Sequence, residues 1–594
     1  MEEHPLVIFD GRCEFCRIWI EYWKALTGDR IEYAASQDVG NLYPRIPAQD
    51  FRESVQLVIP GGQVLSGAKA VFTTLTYAPG RAWTLWAYEH LPLVAPVSEA
   101  AYRLIAAHRT FFYHLTRLTF GKRVLPWKFA QTEWLFLRML AIIYLIAFGS
   151  LAVQIKGLIG ARGILPLGGY LAAVSKALGA RGYWSIPTIF WLAHGDWFLR
   201  AVCLAGVAIS IALLPGIVKG AWERLLLITL YVLFLSLCTA GQDFLSFQWD
   251  SLLLETGFLA IFLGDSKFVV LLFRWLLFRL MFLSGAVKLT SHDPVWRDWT
   301  ALAYHYMTQP LPNPMAWFMY QLPLSVQRFS TAVTLFIELV IPFLFFAPRM
   351  WRFCGAGAVL FLQVLILLTG NYTFFNLLAI SLCVFLFDDR DFQRLRLRSR
   401  SARISLVAVW AAAILILAMS ISELHEMFFE TAPEAESALV RIAAPFQIAN
   451  TYGLFASMTT TRPEIIIQGS NDGVTWLDYQ FRYKPGDLRE APHQVAPYQP
   501  RLDWQMWFAA LSDYRASPWF TNLMVRLLQG SPDVLALLGN NPFPNAPPKY
   551  VRAELFDYNF TNFATRRATG DWWAHAPRGL YFPQISLEDV RPRN

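Results

Sequence analysis

Apolar runs long enough to cross a bilayer recur through the middle of this chain: Trp134–Ile155, Phe198–Val218, Leu225–Gly241, Phe268–Leu289, Phe329–Ala347, Phe353–Thr369 and Ile404–Ile421. A hydrocarbon core about 30 Å thick needs roughly 20 helical residues to span it, and backbone crosses it only as helix or closed barrel. Residues 130–421 are therefore expected to form a polytopic α-helical membrane core. Two further runs, Leu252–Gly264 and Phe374–Phe387, are short and fit re-entrant or bundle-buried pieces, so seven to nine helices are expected.

The composition agrees. Hydrophobic residues make up 55% of the 594, and charged residues only 16%, against roughly a quarter in soluble domains. The net charge of +8 argues against nucleic acid as a partner once its placement is considered. Arg117, Lys122, Arg123 and Lys128 precede the first run, and Lys219 and Arg224 separate two others. Arg349 and Arg352 follow later, and Arg390, Arg394, Arg396, Arg398, Arg400 and Arg403 precede the last run. Basic loops mark the cytoplasmic side, so the N-terminus is expected inside and the residues after 421 outside. The opening MEEHPLVIFDGRCEFC lacks the basic start and long apolar core of a signal peptide.

Charges also sit within the apolar stretch Phe244–Leu289: Asp250, Glu255, Arg274, Arg279 and Lys288. Each costs about 2.5 kcal/mol or more in hydrocarbon, so such residues pair, snorkel or work. At 100° per residue Arg274, Met281, Gly285 and Lys288 share an arc, and Gly285 admits a neighbouring helix beside Lys288. Glu255 and Glu338 are the natural counter-ions. Lys288, Glu255, Arg274 and Asp250 form the candidate intramembrane site. Lys288 has two readings, a snorkelling or paired residue near a helix end and a base in a dry cavity; the residues favour the first. Two loops are long: Lys156–Trp197 is Gly-rich, and the aromatic, amphipathic Thr290–Arg328 is expected to clamp the membrane surface.

Before the core, residues 1–125 have a different pattern. Leu6–Phe9 is a strand candidate running into Asp10-Gly-Arg-Cys13-Glu-Phe-Cys16, after which Ile18, Trp19, Tyr22, Trp23 and Leu26 recur at helical spacing. A strand, a CxxC turn and a helix starting at the cysteines is a thioredoxin-like α/β arrangement. The helix N-terminus would stabilise a thiolate on Cys13, the nucleophile, with Cys16 resolving the mixed disulfide and Asp10 assisting proton transfer. Half a zinc site is a weak alternative, since no second ligand pair follows. A domain kept only for binding is a stronger one. Ile31–Ala34 and Val55–Ile59 are further strand candidates, the latter turning through Gly61-Gly62 into Val64-Leu65.

Residues 422–594 have the composition of a soluble domain. Glu464–Gln468, Val474–Arg482 and Val551–Asp557 are expected as strands and Asp503–Leu511 as an amphipathic helix. The segment is expected to be an α+β or β-sandwich-like exported domain, with no metal spacing, GxSxG or phosphate loop and hence no cofactor.

The DxxCxxC of Asp10, Cys13 and Cys16, with Gly67–Ala70 and Ser98–Arg109, resembles the DCC-type thiol–disulfide oxidoreductases over roughly residues 5–112. No X-Pro stands in the place of the thioredoxin cis-proline, where Val55 follows Ser54. Gln248–Phe262, SGAVKL through Pro312, Asn450–Thr459, Glu464–Trp476, Tyr483–Asp487 and Pro500–Leu511 resemble the lipase maturation factor family from about residue 130 onward. That resemblance implies a membrane assembly factor; the family's animal members reside in the endoplasmic reticulum and help secreted dimeric lipases fold. The fused redox domain points to a bacterial relative in the inner (plasma) membrane. Its implied partners are membrane lipid, an exported client protein that need not be a lipase, and a cytoplasmic thiol reductant or redox partner. The redox pair and the client-handling domain then lie on opposite sides. A shorter resemblance, Gly285–Leu289 followed by Asp293 and Trp296, is to vitamin K-dependent carboxylase-like membrane proteins. It implies an alternative membrane enzyme with Lys288 as base.

Overall fold

The computed structural model describes residues 4–264, 266–392, 405–429 and 438–590. Arg394, Arg396, Arg398, Arg400, Arg403 and Ile404 lie outside them. The chain divides into two compact units, Met1–Lys128 with Phe346–Cys354, and Phe129–Phe345 with Gly355–Asn594.

The first unit is mixed α/β. Its strands β1 (Leu6–Phe9), β2 (Glu32–Ala35), β3 (Gln56–Val58) and β4 (Val64–Ser66) form one sheet in the order β2-β1-β3-β4. β1 pairs parallel with β2, while β3 runs antiparallel to both β1 and β4. The β3–β4 hairpin turns at Gly61 and Gly62, whose φ of 101° and 81° suit glycine. Side chains alternate across the sheet: Leu6, Ile8 and Val58 join Phe51 on one face, and Val7 and Leu57 join Ile20 and Ala70 on the other. Ile20 comes from α1 (Glu14–Thr27); helices α2 (Gly67–Thr76), α3 (Ala82–His90), α4 (Val94–Ala107) and α5 (Arg109–Phe120) follow.

Among the described residues seven helices, all lying wholly or mostly in the second unit, are long and apolar enough to cross a membrane. They are α6 (Ala130–Ile159), α7 (Asp196–Leu213), α8 (Ala221–Ala240), α10 (Lys267–Thr290), α12 (Leu324–Phe346), α13 (Arg349–Thr369) and α15 (Val407–His425). Between them lie the short α9 (Gln248–Ala260), α11 (Ala301–Thr308) and α14 (Phe375–Cys383). α10 is the axial helix: 78% of its apolar window is buried, against 33% for α7, α13 and α15. Charges on α10 are thus enclosed by protein rather than lipid.

Beyond α15 a single antiparallel sheet forms, β5 (Arg462–Ser470), β6 (Leu477–Asp478), β7 (Tyr550–Phe560) and β8 (Trp573–Ser586), ordered β6-β5-β7-β8. With α16 (Arg501–Ala510) and α17 (Pro518–Leu528) this is the α+β alternative, not the sandwich. Most of the expected strand at Val474–Arg482 is loop, because the Asp472 carboxylate accepts hydrogen bonds from the amides of Val474 and Thr475, at 2.9 and 2.7 Å, and holds a tight turn. β8 lacks a sequence signal, since Pro577, Gly579 and Pro583 interrupt it; an edge strand tolerates them, and its register shifts against β7.

The sheet and the helices share one core. Trp504 of α16 packs against Trp249 of α9 at 4.7 Å, and Trp519 of α17 against Phe244 at 5.7 Å. The 290–328 segment, expected on the membrane surface, packs in part against the sheet: Met307 and Trp317 cluster with Tyr558, Phe560 and Trp573. Arg462 of β5 donates to the carbonyls of Met307 and Pro310 at 2.8 and 2.9 Å. The cause is the buried Arg462 guanidinium, which needs the carbonyls that the Gln309-Pro-Leu-Pro312 turn exposes.

These contacts fix which helix ends share a face. Lys156 at the end of α6 binds Asp533, the 241–247 turn receives Arg501, and the ends of α10 and α13 meet residues 456 and 493–496. At the opposite face Asp389, after α14, accepts from the amides that open α6. Among the described residues the chain therefore passes between the two faces at α9 and α14 as well as at the seven long helices. The short helices traverse inside the bundle, where protein supplies their partners.

Candidate functional site

In the first unit, β1 delivers Asp10 at its C-terminal end, and Cys13 is the N-cap of α1. Cys13 and Cys16 form a disulfide with Cα atoms 5.3 Å apart. Cys13 Sγ also accepts the Cys16 amide at 3.2 Å. That amide and the first turn of α1 thus face the Cys13 sulfur. The Asp10 carboxylate accepts from the Arg12 amide at 3.0 Å and from Gln37 Nε2 at 2.9 Å, and its backbone carbonyl accepts the Cys13 amide at 3.2 Å. Asp10 thus shapes the CxxC turn. The Val55 amide, at the position where a cis-proline is absent, donates to Tyr102 Oη at 2.9 Å. Cys16 borders an apolar cavity of about 410 Å³ walled by Phe9, Phe15, Trp19, Trp23, Tyr102 and Phe112.

In the second unit the intramembrane candidates do not converge; each is held by its own partners. Asp250 makes a two-pronged ion pair with Arg501, both contacts 2.8 Å, and Arg501 also donates to the Phe244 carbonyl at 2.7 Å. Glu255 binds Arg279 directly, accepts Tyr452 Oη at 2.7 Å and accepts the Asn450 amide at 3.0 Å. Arg279 in turn donates to the Asn450 carbonyl at 3.0 Å. Arg274 Nε donates to the Phe385 carbonyl at 2.9 Å. Asp250, Glu255 and Arg279 tie α9 and α10 to the segment after α15, while Arg274 ties α10 to the turn after α14. The Asn450–Thr459 and Pro500–Leu511 stretches are thus the partners of Gln248–Phe262.

Lys288 differs in bordering a cavity. Its ammonium donates to both carboxylate oxygens of Glu338, at 2.7 and 2.6 Å, and lies 5.1 Å from the ring centre of Trp296. The helices meet closely there: a Cβ on Gly285 would stand 2.9 Å from that of Glu338. The cavity, about 230 Å³, is also lined by Met281, Ser284, His305, Gln363 and Tyr372. His305 Nε2 lies 2.9 Å from Tyr372 Oη, which donates to Gln309 Oε1 at 3.0 Å. Burial, with the Lys288 cation nearby, pushes the His305 imidazole down to about 4, so it is neutral. His305, Tyr372 and Arg501 escaped the sequence reading. Arg501 alone had a signal, its place in the Pro500–Leu511 stretch. Among the described residues no group of His, Cys, Asp or Glu could hold a metal.

Comparison with known proteins gives a consistent result. Residues 7–115 match the DCC1-like thiol-disulfide oxidoreductase family, residues 131–394 the lipase maturation factor transmembrane domain, and residues 448–583 the lipase maturation factor C-terminal domain. Lipase maturation factor 2 of Xenopus laevis is 35% identical over 589 residues, covering 76% of this chain and 82% of that protein. Lipase maturation factor 1 of Bos taurus is 37% identical over 521 residues, covering 78% and 91%. No solved structure matches. The expected kinship thus holds on both stretches: the chain is an integral membrane protein of the lipase maturation factor family, with a DCC1-like thiol–disulfide oxidoreductase domain at its N-terminal end.

Proposed function

We propose that the protein assists the folding or assembly of exported clients, a lipase being the first to test, while its N-terminal domain exchanges disulfides with a cytoplasmic reductant or redox partner. The observation that carries the client role is the joint between bundle and sheet. Asp250–Arg501 and Glu255–Arg279–Asn450 fasten a client-facing module rigidly to a membrane anchor, and Val474, Phe563 and Leu580 stay exposed on that module. In the redox role, Cys13 attacks a partner disulfide, and Cys16 then displaces the partner as a thiol and closes the Cys13–Cys16 disulfide.

We place the protein in a bacterial inner (plasma) membrane, with the N-terminal domain cytoplasmic and the sheet outside; basic residues on one face support that sidedness. Lys219 and Arg224 after α7 and Arg390 after α14 lie opposite the sheet, as the positive-inside rule requires of cytoplasmic loops. The working domain limits are 1–125, 130–421 and 422–594. Lys288 as an enzymatic base is the weaker reading, because a base must be free to take a proton and both prongs of Glu338 hold this ammonium. The test is a secreted dimeric lipase produced in cells with and without this protein. Specific activity per unit of lipase should fall without it; unchanged specific activity removes the lipase as client.

A further inference from the structure

The cavity beside Lys288 has the form of a ligand site that the assembly role leaves unused. Three features define its occupant. First, its wall is apolar and reaches the outside of the bundle. Val333 and Ile337 of α12 and Leu362 and Ile366 of α13 line it, while Phe329 and Phe361 line it and are also 70% and 56% exposed. On spanning helices that exposure faces lipid, so the mouth lies between α12 and α13.

Second, its polar end carries no net charge. Lys288 is neutralised by Glu338, and two of its three N–H groups are spent there; the third has no hydrogen-bond partner among the described residues. A carboxylate or phosphate head would have to displace Glu338 from a buried pair.

Third, one acceptor is left open. Gln309 Nε2 donates to the carbonyls of Tyr306 and Thr369, at 3.2 and 2.8 Å, which fixes its Oε1 as the acceptor for Tyr372. The Tyr372 oxygen then accepts the proton of His305 Nε2, and the neutral ring presents Nδ1 as a bare acceptor. That atom is buried and without a hydrogen-bond partner among the described residues. It calls for a donor such as a hydroxyl.

We propose that this cavity is a lipid site for a single-chain acyl lipid with an uncharged, hydroxyl-bearing head, a monoacylglycerol in type. The head hydroxyl donates to His305 Nδ1, the ester carbonyl accepts from Lys288, and the tail leaves between α12 and α13. At about 230 Å³ the cavity is below the roughly 300 Å³ at which pockets for whole small ligands begin. It therefore holds the head and first carbons, with the rest of the chain in the bilayer.

The test uses the full-length protein in phosphatidylcholine vesicles doped with a photoreactive, clickable monoacylglycerol. Saturable labelling is expected on the cavity-lining peptides of α12 and α13. Unlabelled monoacylglycerol should abolish it; the corresponding fatty acid or alkane at equal mole fraction should not. Val333→Trp, which fills the wall, should remove the labelling. If that variant does not fold, His305→Phe, which keeps the wall and loses the acceptor, should weaken it. Labelling that is unsaturable, spread around the bundle, competed equally by fatty acid or alkane, or unchanged in both variants overturns the proposal.

Discussion

The ion pair between Asp250 and Arg501 permits a quantitative test of how the C-terminal module is held. Both side chains are buried, 1% and 0% exposed, with two contacts of 2.8 Å. Replacing Asp250 by Leu leaves the guanidinium with the Phe244 carbonyl and no counter-charge. Breaking a buried pair from one side costs about 3–5 kcal/mol, whereas replacing both partners by apolar residues is often neutral or better. The double variant Asp250→Leu/Arg501→Met should therefore be more stable than either single variant, which makes the coupling in a double-mutant cycle larger than about 3 kcal/mol. Hydrogen exchange of the α16 amides in detergent micelles reads the opening of this joint directly. Each single variant should exchange faster by roughly a hundredfold for a loss of about 3 kcal/mol, and the double variant should fall back toward wild type. Additive acceleration in the double variant would refute the latch, because it would mean that the two charges do not stabilise each other.

Three further outcomes follow from the same reasoning. Lys288→Met should destabilise by about 3–5 kcal/mol by stranding Glu338, and Lys288→Met/Glu338→Leu should recover most of it; thermal unfolding in micelles checks this, and a fully stable single variant contradicts it. Titration of the full-length protein in dithiol buffers, read by thiol trapping, should show Cys13 and Cys16 interconverting with their disulfide. Cys16→Ser should accumulate a mixed disulfide at Cys13 that Cys13→Ser cannot form; a pair that never interconverts leaves only a binding module. Burial pushes the Asp503 carboxyl up to about 6, against opposing hydrogen bonds from the amides of Tyr483 and Lys484. The folded state then keeps a proton that the unfolded chain loses near pH 4, so stability should fall as pH rises through about 4 to 6, by about 3 kcal/mol. Asp503→Asn should flatten that part of the pH profile, and an unchanged profile assigns the dependence elsewhere.

The elements legible in the sequence were those with a period or a length. The long apolar runs appear as helices because composition over some twenty residues leaves no other solution in a bilayer. β1 and α1 appear because LVIF and the 3.6-residue pattern after Cys16 are locally consistent. What stayed hidden depends on the partner rather than on the segment. Val474–Arg482 looks like strand, yet the Asp472 carboxylate captures its first amides. β8 carries two prolines and a glycine that only an edge position permits. Asp250 and Glu255 stand out in an apolar run, but Arg501 and Asn450 lie some 200 residues or more further along, and nothing local names them. Lys288 and Glu338 could be matched as opposite charges near helix ends. His305 and Tyr372 could not, since a histidine on a short helix and a tyrosine in a turn carry no pattern.

The central claim is that the outer module serves exported clients from a membrane anchor. Limited proteolysis of the exported proteome, quantified protein by protein in cells with and without this chain, tests it without naming a client in advance. The account predicts a defined subset of exported proteins that becomes protease-sensitive when the chain is absent. That subset should recover with wild type and stay sensitive with Asp250→Leu, whose joint is opened. An exported proteome with the same protease resistance in both cells would contradict the account.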